Sequence, residues 1–368
     1  MTVALLYRED IKELDFGPGH PLRGDRFENF LKLLKARLSE NGYYRFETAE
    51  FATEVDLRKI CTQDYIDFTR EYYRAANLGQ SYSDKLYTYQ SADNVPQGRP
   101  GKLEEASRLI IGQAKRAADL VMSGKYHKAI CIGGGTHHAH KDYGEGFCLY
   151  NDVAFAAIYL MEQYGLERVL ILDTDAHAGN GTEEYFYSSR KVLFIDVHQN
   201  PATIYLGTGF ANEIGTGEGK GFTVNIPMPL GAGDESYRSV FAEIIEPVAA
   251  EFQPQIIIRN GGSDPHFADG LTDLGLTVNG FKMIGEKVRK MAELCGGKEI
   301  DLIASGYNAR VLPHCWLALI SGLAEFPLEI EEPEMVPENF QTDGSISLTR
   351  EVIADVKQHL KDYWQSLQ

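Results

Sequence analysis

The sequence lacks a framework of paired cysteines. Five thiols, an odd number scattered through 368 residues, argue against a disulfide scaffold and for a reducing compartment. It lacks a basic excess: 36 Lys and Arg against 53 Asp and Glu leave a net charge of −17. A chain so acidic has no general means of displacing counterions from nucleic acid, and the balance suits a cationic partner or plain solubility. No apolar run approaches the ~18 residues of a membrane span. The opening MTVALLYRED has neither the basic n-region nor the apolar length of a secretory signal. Internal repeats, low-complexity tracts and a dividing linker are also absent. The expectation is a soluble, cytoplasmic chain folded as one domain over residues 1–368. What is present is ordinary globular composition, 43% hydrophobic and 24% charged, which excludes a wholly disordered or fibrous chain.

Apolar runs of strand length recur, each followed by a helical pattern. Strands are expected at 129–132, 168–173, 192–197, 223–227, 255–260 and 301–305, with helices at 151–164, 235–252 and 279–294 between them. Strands apolar on both faces belong to a parallel sheet covered by helices, an α/β/α sandwich. The N-terminal third reads as mostly helical, with amphipathic periodicity at 26–39 and 102–123. Residues 82–101 read as a surface loop. LEIEEPEMVPENF after Phe326 reads as a solvated acidic connection, and a last amphipathic helix is expected at 348–367. Cys131, Cys148 and Cys315 read as buried structural thiols.

In open parallel sheets, function gathers beyond the strand C-termini. After the first of these strands comes Gly133-Gly134-Gly135-Thr136-His137-His138. After the second comes Asp173-Thr174-Asp175-Ala176-His177. Gly261-Gly262-Ser263-Asp264 and Gly306-Tyr307 follow two others. Asp175 and His177, two apart in extended backbone, point to one side. With Asp264 they form a three-ligand N/O set that leaves a position open, as a catalytic Zn²⁺ site requires. A second reading keeps Asp-x-Asp-x-His as a turn and capping cluster opening a helical segment at 181–188. The Gly run could cradle phosphate, but GGGTHH lacks both the Lys-Ser/Thr ending and the GxGxxG spacing. Tyr307 alone is equally a core or rim tyrosine.

Taken together, these residues resemble the zinc-dependent histone deacetylase family, which includes bacterial acetylpolyamine and acetoin-utilisation proteins. Five blocks occur in the family's order: GHPLRGDR (19–26), GGGTHHAHKDYGEGFCLYNDVAFA (133–156), LDTDAHAGNGTEEYFY (172–187), GGSDPHFADGLTDLGLT (261–277) and SGYNARVLPHCW (305–316). Coverage runs from about residue 19 to 322. The resemblance implies the arginase–deacetylase fold and Zn²⁺ on Asp175, His177 and Asp264. It implies His138 as general base toward water, His137 as its electrostatic companion, and Asp173 and Asn180 as the partners of these histidines. Asn at 180, rather than Asp, resembles the class II branch. Tyr307 matches the tyrosine that donates to the substrate carbonyl, and Arg26 an arginine of an internal channel. Gly146 and Phe147 match one tunnel wall, Tyr205 the opposing wall, and Asp93 a rim aspartate that holds the substrate backbone. A structural K⁺ is implied on main-chain carbonyls of Asp173, Asp175 and His177, and a second alkali site near Phe186, Ser189 and Val192.

Some positions depart from the family. Asp196 stands where a serine borders the first alkali site, so it either strengthens cation binding or pairs with a neighbour. Leu206 replaces a proline. Leu271 stands at the position that is acidic in polyamine-selective eukaryotic relatives, which leans toward acyl-lysine in proteins or peptides. Small acylated amines such as acetylpolyamines are the alternative substrate. His140 and His266 read as rim imidazoles near the mouth. A non-catalytic acyl-lysine binder and a binuclear manganese ureohydrolase are the competing readings from other classes. The intact set of Asp175, His177, Asp264, His138 and Tyr307 argues against the binder; the need for further bridging aspartates, the His137-His138 pair and Tyr307 argue against the ureohydrolase. The residues do not fix the metal, since Fe²⁺ or Co²⁺ also suits an Asp₂His site. A homo-oligomer is left open.

Overall fold

The structure, a computed structural model, describes residues 2–40, 42–80 and 85–368. Eight strands form one sheet: β1 (Val3–Leu6), β2 (Tyr44–Glu47), β3 (Lys128–Ile132), β4 (Val169–Asp173), β5 (Val192–Gln199), β6 (Thr223–Met228), β7 (Ile256–Gly261) and β8 (Glu299–Ile303). They lie in the order β2-β1-β3-β8-β7-β4-β5-β6, and every pairing is parallel. Every residue of β3, β4, β5, β7 and β8 is buried. Because strand side chains alternate between faces, helices must cover both. Helices Leu103–Met122 and Asp152–Tyr164 pack together as one group, and Asp25–Arg37, Val278–Met291 and Leu312–Ala324 as another. The α/β/α sandwich expected from the apolar runs is the observed architecture. Among the described residues no helix is long and apolar enough to cross a membrane.

The N-terminal third is mostly helical as expected, with helices at Asp25–Arg37, Gln63–Asn77 and Leu103–Met122, but it also contributes β1 and β2. VALL is only four residues long and YRFE lies at the sheet edge with one buried position, so neither carries a run long enough to read as a strand. Helix 234–252 is continuous but has a π-helical stretch at Phe241–Ile245. Pro247 lacks the N–H that would continue the α ladder, and the wider turn absorbs the loss. Within 82–101, residues 82–84 lie outside the described residues; the rest carries the short helix Leu86–Tyr89 and the 3₁₀ turn Ala92–Asn94.

The acidic run after Phe326 is a tether rather than a solvated connection. Glu332 accepts from the backbone N–H of Val278 at 2.9 Å and lies 3.0 Å from His266 Nε2. Glu334 pairs with Arg310 at 3.0 Å. The final helix, Ile346–Leu360, stops short of 367. Beyond it the buried Trp364 donates Nε1–H to the Gly221 carbonyl at 2.7 Å and meets the rings of Phe222 and Phe252. All five cysteines are free and buried.

The strand order decides where chemistry can collect. Chain order runs outward through β1 and β2 on one side of the sheet and through β5 and β6 on the other. A crevice opens where the direction of winding switches. The central strands there are β3, β8, β7 and β4, the four whose C-terminal ends deliver His137 and His138, Tyr307, Asp264, and Asp173 to His177.

Candidate active site

Beneath the loop after β4 lies a charged pair inside the sheet. Arg259 on β7 donates Nε–H to Asp301 on β8 at 2.8 Å and a second N–H to the other carboxylate oxygen, while Nη1 reaches Thr174 Oγ1 at 3.4 Å. Both side chains are buried, and the two-pronged pairing compensates for their desolvation. Above it, Asp175 and His177 leave the strand on one side, as their spacing predicts. His177 Nδ1 lies 3.2 Å from Asp175 Oδ1 and 3.2 Å from Asp264 Oδ2. One ligating atom from each of the three residues falls within 4.8 Å of the others.

This set fits a divalent metal. Two carboxylates and an imidazole crowd a buried point, and burial together with Asp175 pushes the Asp264 carboxyl above its ordinary range. The donors are oxygen and nitrogen, without thiolate, as borderline and hard divalent ions prefer. Ser305 Oγ–H donates to Asp264 Oδ1 at 2.6 Å and fixes that carboxylate from behind.

The two adjacent histidines have opposite environments. His137 Nδ1 lies 2.8 Å from Asp173 Oδ2, and Asn260 Nδ2–H donates to the same oxygen at 2.8 Å. Burial opposes charge on His137, but the Asp173 and Asp175 carboxylates outweigh it and raise its pKa to about 9. His138 Nδ1 lies 2.8 Å from Asn180 Oδ1. There burial and the neighbouring positive charge of His137 hold the imidazole well below its ordinary value. A protonated and a neutral imidazole thus stand side by side, ring centroids 4.0 Å apart.

The preceding glycine run turns the chain on Asp152, whose carboxylate accepts the backbone N–H of Gly135 and Thr136. The run holds a protein carboxylate there, not a phosphate. Tyr307 is set by Gly306, at φ +120°, where an added Cβ would strike Ser263. The Tyr307 backbone N–H donates to Asp269 at 2.7 Å. Burial raises the phenol far above its ordinary value, so it remains a hydrogen-bond donor.

A tight turn builds one wall. The Cys148 N–H returns to the Glu145 carbonyl at 2.9 Å, and Gly146 and Phe147 both adopt positive φ, 57° and 66°. Left-handed backbone at a phenylalanine is strained and persists only where its surroundings fix it. Asp93 does so by accepting the Gly146 N–H at 3.2 Å. The Phe147 ring meets Tyr307 at 5.9 Å. Tyr205, 49% exposed, and Leu271, 42% exposed, line the mouth with Phe147 and Asp93 around about 430 Å³. Further in, a cavity of about 40 Å³ is lined by Arg26, Leu22 and Tyr307 beside the histidines. Arg26 is buried and donates once, to the Gly306 carbonyl at 3.2 Å. Its Nε and Nη2 are without partners among the described residues.

One expectation changes here. His266 is not at the mouth: it is fully buried and its ring stacks on Phe281 at 6.2 Å. Asp196 Oδ2 accepts the Gly179 N–H at 2.7 Å; its Oδ1 lies 2.9 Å from His198 Nδ1, but neither of those two atoms has a hydrogen-bond partner among the described residues. Among the described residues no backbone N–H donates to the carbonyls of Asp175 and His177, as a first alkali site would need. At the second, the Phe186 carbonyl already accepts the Ser189 N–H at 2.8 Å, and Val192 opens β5. Asn260, Ser305 and Asp269 have structural parts in the site that the sequence alone does not assign. The first two end expected strands and Asp269 lies inside one of the five blocks, so position was the available signal.

The sheet topology and the placing of polar loops on its central strand ends define an α/β protein of the arginase–deacetylase class. Residues 20–323 match the model of the histone deacetylase domain. A probable deacetylase of Archaeoglobus fulgidus is 36% identical over 377 aligned positions, covering 99% of each chain. The acetoin utilization protein AcuC of Staphylococcus xylosus is 34% identical, covering 87% of this chain and 83% of its own. The crystal structure of the HDA15 HD domain superposes with a TM-score of 0.81 at 27% identity, covering 100% of this chain and 97% of that one. The chain belongs to the histone deacetylase family.

Proposed function

We propose that the protein is a zinc-dependent amidohydrolase that removes acetyl groups from the Nε-amine of lysine in proteins or peptides. One observation carries the reading: Asp175, His177 and Asp264 converge at the base of a tunnel faced by His138 and Tyr307. A divalent ion on those three residues would supply Lewis acidity, polarising the amide carbonyl and acidifying water. The rest falls to the chain's own side chains. His138, neutral and held at Nδ1 by Asn180, offers Nε2 to the proton of the attacking water, a role that contributes ~10²–10⁴ in rate. His137, kept protonated by Asp173, places positive charge beside the anion that develops. Tyr307 donates its O–H to that oxyanion. One of the histidines, once protonated, returns a proton to the departing amine. Phe147 and Tyr205 enclose the apolar linker and exclude water. The unpartnered N–H groups of Arg26 suit the carboxylate product, and the small inner cavity favours acetyl over longer acyl chains.

A second reading, hydrolysis of small acylated amines, is supported by Asp93, whose carboxylate faces the mouth and suits an ammonium. Five buried, unpaired thiols support action in the cytoplasm. K⁺ on the carbonyls of Asp173, Asp175 and His177 is part of the proposal, supported by the lack of backbone donors to the latter two.

Turnover of acetyl- and longer acyl-lysine peptides, acetylputrescine and acetylspermidine by zinc-loaded protein tests the reading, together with Tyr307→Phe. The expected result is acetyl-lysine turnover that drops roughly 10²–10³-fold in the variant, the cost of one oxyanion donor. Turnover of acetylpolyamines alone would move the enzyme to the second reading. Undiminished turnover in the variant would overturn the role of Tyr307.

A further inference from the structure

A line of polar side chains runs outward from His138 and ends at solvent. Asn180 contacts His138 on one side and, through Nδ2, donates to Glu145 Oε1 at 2.6 Å on the other. The same Glu145 oxygen lies 2.8 Å from His140 Nε2, and His140 Nδ1 contacts Glu184. Exposure rises along the line, from 14% at the Glu145 side chain to 57% at Glu184.

We infer that Glu145 is a positioning residue for the catalytic histidine: it locks the Asn180 amide in the one orientation that leaves His138 protonated on Nδ1 and bare on Nε2. The inference rests on the deacetylase reading above.

The argument is one of donors and acceptors. A carboxylate accepts and does not donate, so the amide nitrogen of Asn180 must face Glu145. Its oxygen then faces His138 Nδ1. An amide oxygen also only accepts, so Nδ1 carries the hydrogen. A neutral imidazole has one N–H, so Nε2 keeps its lone pair, the form a general base needs. Without Glu145 nothing of comparable strength distinguishes the two ends of an amide whose halves have nearly the same shape. A flipped Asn180 would donate to Nδ1, move the hydrogen to Nε2 and disable the base.

The lock is rigidly mounted. Glu145 opens the tight turn whose next two residues have positive φ, and the turn is tied to Asp93 through the Gly146 N–H. His140 faces carboxylates with both ring nitrogens, so both donate. The resulting imidazolium balances the Glu145 charge and keeps it an acceptor.

The test separates an acceptor from mere bulk. Glu145→Leu keeps the volume and removes the acceptor; kcat is expected to fall at least about tenfold, a fraction of the ~10²–10⁴ a base supplies, with KM within about threefold. Glu145→Gln can keep an oxygen at the shared position and should retain at least a third of wild-type kcat. In protein labelled with ¹⁵N-histidine, the His138 ring should show the Nδ1–H form in wild type and shift toward Nε2–H in Glu145→Leu. This last readout needs no turnover. If wild type hydrolyses no amide, the deacetylase reading fails and the ring form still decides the role of Glu145. Wild-type kcat and an unshifted ring in Glu145→Leu would overturn the inference, as would a loss of kcat in Glu145→Gln equal to that in Glu145→Leu.

Discussion

Gly146→Ala is the most demanding single-atom test of the site geometry. A Cβ at 146 would lie 2.2 Å from His138 Cδ2 and 2.6 Å from Cγ, where ordinary contact begins near 3.4 Å. The imidazole or the turn must therefore yield by about 1.2 Å (3.4 − 2.2). Residue 146 also has φ +57°, a region that costs an L-residue roughly 1–2 kcal/mol. Stability should thus fall by about 2–5 kcal/mol, the backbone cost together with ~1–3 kcal/mol for the crowding. Catalysis should suffer as well. A displacement of this size breaks the 2.8 Å contact of His138 with Asn180, and a misplacement near 1 Å can cost ~10²-fold. The assay is kcat/KM on an acetyl-lysine peptide, with metal content and melting temperature measured on the same sample. A roughly hundredfold loss at full metal occupancy is expected. Activity within threefold of wild type would show that the turn does not hold His138, and would refute the wall geometry.

Asp264→Asn should remove a charged ligand, lower zinc stoichiometry after dialysis well below one and abolish turnover; a variant that retained one zinc with full activity would exclude Asp264 as a ligand. Glu183→Gln tests a buried carboxyl that burial raises from 4.5 to about 7, despite the Asn225 amide that donates to it. A raised folded-state pKa means that its contribution is present below pH 4.5 and lost as pH rises through 7. The stability gain of the variant should be near zero at pH 4.5 and reach at most about 3 kcal/mol above pH 8, measured by urea unfolding across that range. Parallel curves for the two proteins would refute the burial of that charge.

Much of this site is readable in the sequence because its residues come directly after strands that are mostly apolar and buried along their whole length. Such runs announce themselves, and the loops after them must lie at the sheet edge. Asp173, Asp175, His177, Asp264 and Tyr307 can therefore be grouped from the chain alone. The features that escape such a reading lack that signal. β1 and β2 are too short to show periodicity. His266 and Glu332 sit 66 residues apart, and each alone looks like a solvated polar residue; only their pairing explains the burial of one and the tethering of the other. Asp196 is legible as a departure, but the approach of its Oδ1 to His198 Nδ1 at 2.9 Å depends on a side-chain angle. The Glu145 link to Asn180 joins residues 35 apart through a turn, whose left-handed Phe147 no sequence pattern signals.

The strand order also bears on how the molecule is made. When synthesis has passed β6, the sheet can exist only as two halves, β2-β1-β3 and β4-β5-β6, each with an open edge where β8 and β7 will later lie. Exposed edges of that kind invite pairing with other chains, and closing them requires contacts across long sequence separations, which form slowly. Asp175 and His177 belong to the second half, while Asp264 arrives with β7, which extends that half alongside β4. A cation held by all three therefore binds once β7 is in place, before β8 closes the gap to β3. Metal supply during synthesis should raise the yield of soluble protein as well as its activity, because each ion captured fixes β7 on β4 and steadies the edge on which β8 pairs.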